Sequence, residues 1–273
     1  MIELDVVLDS LEGWLTYAES NADVYNVAAA GLVANRIKNA GFIEPLTSRV
    51  VSSAAIDASH DNWREGLIAN GISSRMRGVL ALLGEEVKGR NPNDVLVYGT
   101  EAVTAFALLL RGIFPRYLGS EYGPDERARE DLYPIPHQDL TALTLPSNMF
   151  DIVTTNEVLE HVPDLDAALE EIARVLKPKG VHIGTHPFLF DRNDGDLRAR
   201  IQAGTVVHLR PPEFHGNPVD PEGGSLVFET PGWNILERAR SAGFSNDCMR
   251  FIASERNGYV TENTGVFVLF ARK

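Results

Sequence analysis

Residues 150–180 read FDIVTTNEVLEHVPDLDAALEEIARVLKPKG, and their pattern decides the fold. Phe150 to Thr154 is a short apolar run with Ile and Val that closes in polar Thr155 and Asn156, as a buried parallel strand does at its carboxyl end. Pro163 and Asp164 open a helix. Leu165, Ala168, Leu169, Ile172, Val175 and Leu176 recur at three- and four-residue steps, giving that helix one apolar face. Lys177, Pro178 and Gly180 stop it with a positive charge, a breaker and a turn residue. Val181-His182-Ile183-Gly184 then reads as the next strand. The unit is a strand, a polar lip, a crossover helix and a second strand.

The rest of the chain sets bounds on this unit. At 273 residues, with 44% hydrophobic and 23% charged residues, one large domain, or a domain with an appendage, is expected. The formal charge of −13 argues against broad binding to phosphate backbones, which needs clustered Lys and Arg. The single cysteine, Cys248, excludes an internal disulfide and a Cys-based zinc cluster. The opening MIELDVVLDSLEGW is acidic and amphipathic, unlike a signal or transit peptide, and no apolar run approaches membrane-spanning length. A soluble cytoplasmic protein is expected.

The 150–180 stretch resembles class I S-adenosylmethionine (AdoMet) methyltransferases, in which an aspartate-led strand is followed by an EHV.D turn and a helix ending LKPGG. The resemblance implies a Rossmann-like α/β fold with a seven-stranded, mostly parallel sheet closed by an antiparallel strand, with S-adenosyl-L-methionine as cofactor. It covers about residues 63–273. The expected division is a helical N-terminal extension over 1–90 and a methyltransferase domain over 91–273, with a lid-like insertion at about 191–229.

Within the extension, Leu4, Val7, Leu8, Leu11 and Leu15 step at helical spacing, and a second helix is expected from Ala22 to Ala40. These helices either pack on the catalytic domain, cover the cofactor or join two subunits in a homodimer. Trp63-Arg64-Glu65-Gly66-Leu67 and Ser73-Ser74-Arg75-Met76-Arg77-Gly78-Val79-Leu80 resemble a bacterial subgroup whose N-terminal zinc knuckle reads roughly REGL.CP.CG..SR.RA..LL. Ile68 to Ile72 fill the place of the cysteines, so no zinc site is expected there. Arg75 and Arg77 either face the cofactor carboxylate or a substrate anion, or lie on a solvated helix face.

Asn93 to Tyr98 is the first strand of the domain, followed by Gly99-Thr100-Glu101-Ala102-Val103-Thr104 and an apolar helix from Ala105. The family usually carries G-x-G-x-G here, because close backbone approach to the cofactor demands residues without side chains. This chain keeps Gly99 alone, with an E.VT variant of the loop that the subgroup shares. The resemblance assigns Tyr98, Gly99, Thr100 and Glu101 to the cofactor. Glu101 either meets the methionyl ammonium or is a helix N-terminal acid favoured by the dipole. Glu121, twenty-two residues past Gly99, holds the position of a ribose-binding carboxylate, and Tyr122 either stacks on adenine or is a rim tyrosine. A third strand is expected before His137. By resemblance Asp139 and Leu140 meet the adenine, and Asn156 faces the sulfonium. Ligands of open α/β sheets lie outside strand carboxyl ends, where all these residues fall.

Three histidines are candidates for the base. His161 has a suitable ordinary pKa but in the fold often only buttresses the site; His186 ends the fifth strand; His215 lies in LRPPEFHGNP, residues 209–218, in the long connection that reads either as a substrate lid or as a rigid Ω-like loop with His215 pinned to a backbone carbonyl. Asp191, Asp194 and Asp196 make either a divalent-cation loop or an exposed acidic one, and no metal is assigned. Trp233 to Ala242 reads as the last helix, and 248–253 and 264–271 as a final antiparallel pair. The expected reaction is methyl transfer to an oxygen or nitrogen of a small molecule, such as a sugar or secondary metabolite, with no nucleic acid and no membrane involved. The alternatives are an inactive binding or partner protein of the same fold, and a methyltransferase acting on RNA or protein.

Overall fold

The computed structural model describes residues 1–24, 27–57 and 63–273. Its central sheet has seven strands: β1 (Glu3–Leu8), β2 (Val97–Gly99), β3 (Leu118–Gly119), β4 (Phe150–Asn156), β5 (Leu176–Thr185), β6 (Asn246–Ser254) and β7 (Val266–Arg272). They are hydrogen-bonded in the order β1-β6-β7-β5-β4-β2-β3. The run β3-β2-β4-β5 is parallel throughout, and β1 runs antiparallel to β6. This is a seven-stranded mixed sheet of Rossmann-like type.

The chain forms two compact units, one of residues 1–90 with 248–269, the other of 91–247 with 270–273. The second contains the α/β crossover predicted from residues 150–180. Asp164 caps the helix Leu165–Val175 by accepting from the Ala167 amide at 3.0 Å, the usual role of an N-cap carboxylate. That helix buries Leu165, Ala168, Leu169, Ile172, Ala173 and Val175, the face its spacing predicts. β5 starts directly at Leu176 and shifts register before Val181, so LKPKG is a bulged strand entry. Lys177 there pairs with Asp151 of β4 at 2.7 Å.

The first unit departs from expectation at its start. Residues 3–8 form a strand and the helix begins only at Leu11, capped by Ser10. Leu4, Val6 and Leu8 alternate while Leu4, Val7 and Leu8 fit a helical step, and pairing with β6 in register from Glu3↔Ser254 to Leu8↔Met249 decides for the strand. The second helix runs Val27–Ala40; Tyr25 and Asn26 of the expected span lie outside the described residues. Its Ala30, Val33, Ala34 and Ile37 pack with Phe42, Val51, Ile56, Leu67, Ala69 and Val260.

The knuckle-like segment is a hairpin, Ile68–Ala69 with Ile72–Ser73. Its turn residues Asn70 and Gly71 both have positive φ, 53° and 75°, as a two-residue hairpin turn requires. Neither expected arginine lies on a solvated helix face. Arg77, 1% exposed, donates to the carbonyl oxygens of Gly258, Ile72 and Leu67, each at 2.7 Å, and to Ser74 Oγ. Arg75 is buried and pairs with Glu65. The Arg77 guanidinium is structural.

The expected third strand of the domain shrinks to a single parallel bridge, Glu121↔His137. Pro134 and Pro136 just before it carry no amide hydrogen, so a longer ladder has too few donors there.

Candidate active site

At the carboxyl ends of β2 and β4 the sequence-predicted residues converge. Glu101 is buried; its Oε1 accepts from Asn156 Nδ2 at 2.6 Å and its Oε2 from the Thr104 hydroxyl. Burial raises the Glu101 carboxyl to about 7, against the pull of these two donors. Asn156 Oδ1 and Thr100 Oγ1 are buried without hydrogen-bond partners. The Thr100 amide donates to the Thr154 carbonyl at 3.3 Å, tying the loop to β4.

The retained glycine has its own reason. Gly99 and Gly119 are register partners in β2 and β3, and a Cβ on either would run into the Tyr117 ring or hydroxyl. That hydroxyl donates to the Glu101 carbonyl at 2.7 Å, so the glycines admit a tyrosine that positions the Glu101 backbone. Glu121 Oε1 accepts from the amides of Ala102 and Val103 at 2.7 and 3.3 Å. Desolvation still outweighs these bonds and raises its pKa. Glu121 thus braces the glycine-poor loop.

Other predicted residues are placed differently. Tyr98 is in the core, its hydroxyl 2.8 Å from Ser120 Oγ and its ring against Phe150, so only its backbone lies at the strand end. Tyr122 is exposed, with its ring 5.7 Å from that of His137. Asp139 Oδ1 accepts from the amide and hydroxyl of Thr141 at 2.9 and 2.7 Å, a self-contained turn, and Leu140 is buried beside it.

Of the three histidines, His161 and His215 meet, with rings 5.1 Å apart and nearly perpendicular. Between them is Glu160, 0% exposed, whose Oε1 lies 3.5 Å from both His161 Nε2 and His215 Nδ1. Burial alone would raise the Glu160 carboxyl, but His215, His161 and His186 outweigh it and hold its pKa below the ordinary value. His186 is buried, with its ring perpendicular to Phe188. Sequence reasoning passed over Glu160, although it directly precedes His161. It also passed over His182, which faces Thr155 at 2.8 Å and is pulled down to about 3 by burial and then by His186. Two of the three acids of the acidic loop pair with arginines: Asp191 with Arg192, and Asp196 with Arg198 and Arg210.

Residues 105–184, which include β3, β4 and most of β5, match the family model described as methyltransferase domain. The chain is 33% identical over 101 residues to the sterol 24-C-methyltransferase of Aspergillus fumigatus, covering 36% of this chain and 26% of the relative. It is 59% identical over 39 residues to the ubiquinone/menaquinone biosynthesis C-methyltransferase of Hydrogenovibrio crunogenus, 14% of this chain and 15% of the relative. The matches thus span well under half the length of these curated relatives. Among solved structures, an S-adenosylmethionine dependent methyltransferase from Mesorhizobium loti aligns over 74% of this chain and 98% of its own, at 16% identity and a TM-score of 0.47. No helix among the described residues is long and apolar enough to cross a membrane.

Proposed function

We propose that this chain is an S-adenosyl-L-methionine-dependent methyltransferase acting on an oxygen or nitrogen of a small molecule, with a sugar or secondary metabolite as the acceptor class. The observation that carries the reading is the buried Glu101–Asn156 pair at the carboxyl ends of β2 and β4. The residues fit the cofactor. Glu101 is an acid for the methionyl ammonium, Asn156 Oδ1 and Thr100 Oγ1 are buried polar atoms without partners, and Glu121 offers its second oxygen to the ribose. Asp139 and Leu140 would border the adenine.

When bound, the cofactor supplies an electrophilic methyl group on its sulfonium. Methyl transfer forms an oxygen–carbon or nitrogen–carbon bond as the sulfur–carbon bond breaks, releasing S-adenosylhomocysteine and a proton from the acceptor. The chain's contribution is to hold the two reactants in line at near-attack distance and to take the proton on an imidazole of the His161, His186 and His215 group. The net charge of −13 supports a small acceptor over a nucleic acid.

Calorimetric titration with S-adenosylhomocysteine tests the reading. Micromolar binding is expected, weakened about tenfold or more by Glu121→Ala, which removes one charge-assisted contact. Absence of binding to the folded chain would instead favour a non-catalytic partner protein.

A further inference from the structure

We infer that Glu160, His161 and His215 form a binding site for one divalent first-row transition-metal ion. Their donor atoms all lie within 4.8 Å of one another, and among the described residues they form a group able to hold a metal. The orientation of the rings supports this. His161 Nδ1 is 2.9 Å from the Leu226 carbonyl oxygen. A carbonyl only accepts, so Nδ1 carries a proton and a neutral ring turns the Nε2 lone pair toward Glu160. His215 Nε2 is 3.2 Å from Glu213 Oε1, which likewise directs Nδ1 inward. The other Glu213 oxygen is held by Arg198 at 3.0 Å. A carbonyl and a carboxylate thus anchor the outer nitrogens, the arrangement that orients metal-ligating histidines.

The two distances to Glu160 are open enough to admit a shared ion. Charge-assisted N–H···O bonds close to about 2.7–2.9 Å, whereas both imidazole nitrogens stand 3.5 Å from Glu160 Oε1. Ligand atoms about 2.1 Å from a shared tetrahedral ion are about 3.4 Å apart. The Glu160 side chain is 0% exposed; in the metal-free chain the neighbouring imidazoles, when protonated, offset the cost of burying its carboxylate, and a bound cation would do so in their place. Two imidazoles and one carboxylate select zinc, iron, cobalt or nickel over magnesium and calcium, which prefer all-oxygen sites. On the methyl-transfer reading above, which this assignment of roles rests on, His161 and His215 then act as ligands and His186 is left to take the proton. Metal binding itself stands apart from that reading.

The test is titration of the full chain, first stripped by a chelator, with Co2+ and Zn2+, followed by calorimetry and by cobalt absorption in the visible. One ion per chain is expected, with His161→Ala and His215→Ala each weakening binding by about 100-fold or more. Glu213 is exposed, so Glu213→Gln preserves the fold and is expected to weaken binding by about 10- to 100-fold. Circular dichroism establishes that each variant is folded. Failure of the folded chain to bind either ion in a one-to-one ratio would overturn the site, as would affinity unchanged in the folded variants. S-adenosylhomocysteine binding to the metal-free chain, measured in parallel, shows whether the cofactor reading fails separately.

Discussion

Two side chains carry unusual burdens. Glu101 holds its proton up to about pH 7 in the folded chain, against an ordinary 4.5. Between those values the native state binds more protons than the unfolded one, so stability falls as pH rises through this window and levels off above 7. Glu101→Gln imitates the protonated acid and removes that slope. Relative to the parent, the variant is expected to gain up to about 3 kcal/mol between pH 4.5 and 8. Urea midpoints across that range check it, and parallel curves for the two proteins would rule it out. Arg77 is the opposite case, a buried cation whose pKa burial lowers to about 9 but whose donors satisfy three carbonyls. Arg77→Met leaves those carbonyls unpaired and is expected to cost about 3 kcal/mol or more. Arg77→Lys should recover little of this, because an ammonium lacks the planar fork. An unchanged unfolding midpoint in Arg77→Met would refute the structural role.

Among the elements, the helix Leu165–Val175 was the most legible because its apolar period, its cap and its flanking strands agree. Asp164→Ala is expected to cost about 1 kcal/mol through the lost cap. Leu169→Ala, at a fully buried position, is expected to cost about 2–5 kcal/mol. Both are read from chemical denaturation, and a smaller loss at Leu169 than at Asp164 would mean the helix face is not the core contact described. The first strand was misread because residues 4–8 hold an alternating set, Leu4, Val6 and Leu8, beside the helically spaced Leu4, Val7 and Leu8. Residues 246–254, far along the chain, decide between them. The strand before His137 failed for a local reason that the sequence already held, namely two prolines in four residues.

At the scale of the whole chain, the first unit is discontinuous. Residues 1–90 take the partner of β1 and the Gly258 carbonyl that Arg77 binds from residues 248–269. A fragment of residues 1–90 is therefore expected to show no cooperative unfolding transition by circular dichroism, and a sharp transition would contradict this organisation.

The sequence by itself determined the crossover at 150–180, hence the parallel sheet and its class. It also placed Glu101, Glu121, Asp139 and Asn156 at strand ends, since strand and helix periods are local properties of neighbouring residues. Tertiary structure alone decided what each group meets. It put Tyr98 in the core, set Glu121 to brace a loop, turned two arginines inward, and closed His215 onto Glu160 across fifty-odd residues of chain. Such contacts depend on which distant segments are brought together, and no periodicity records that.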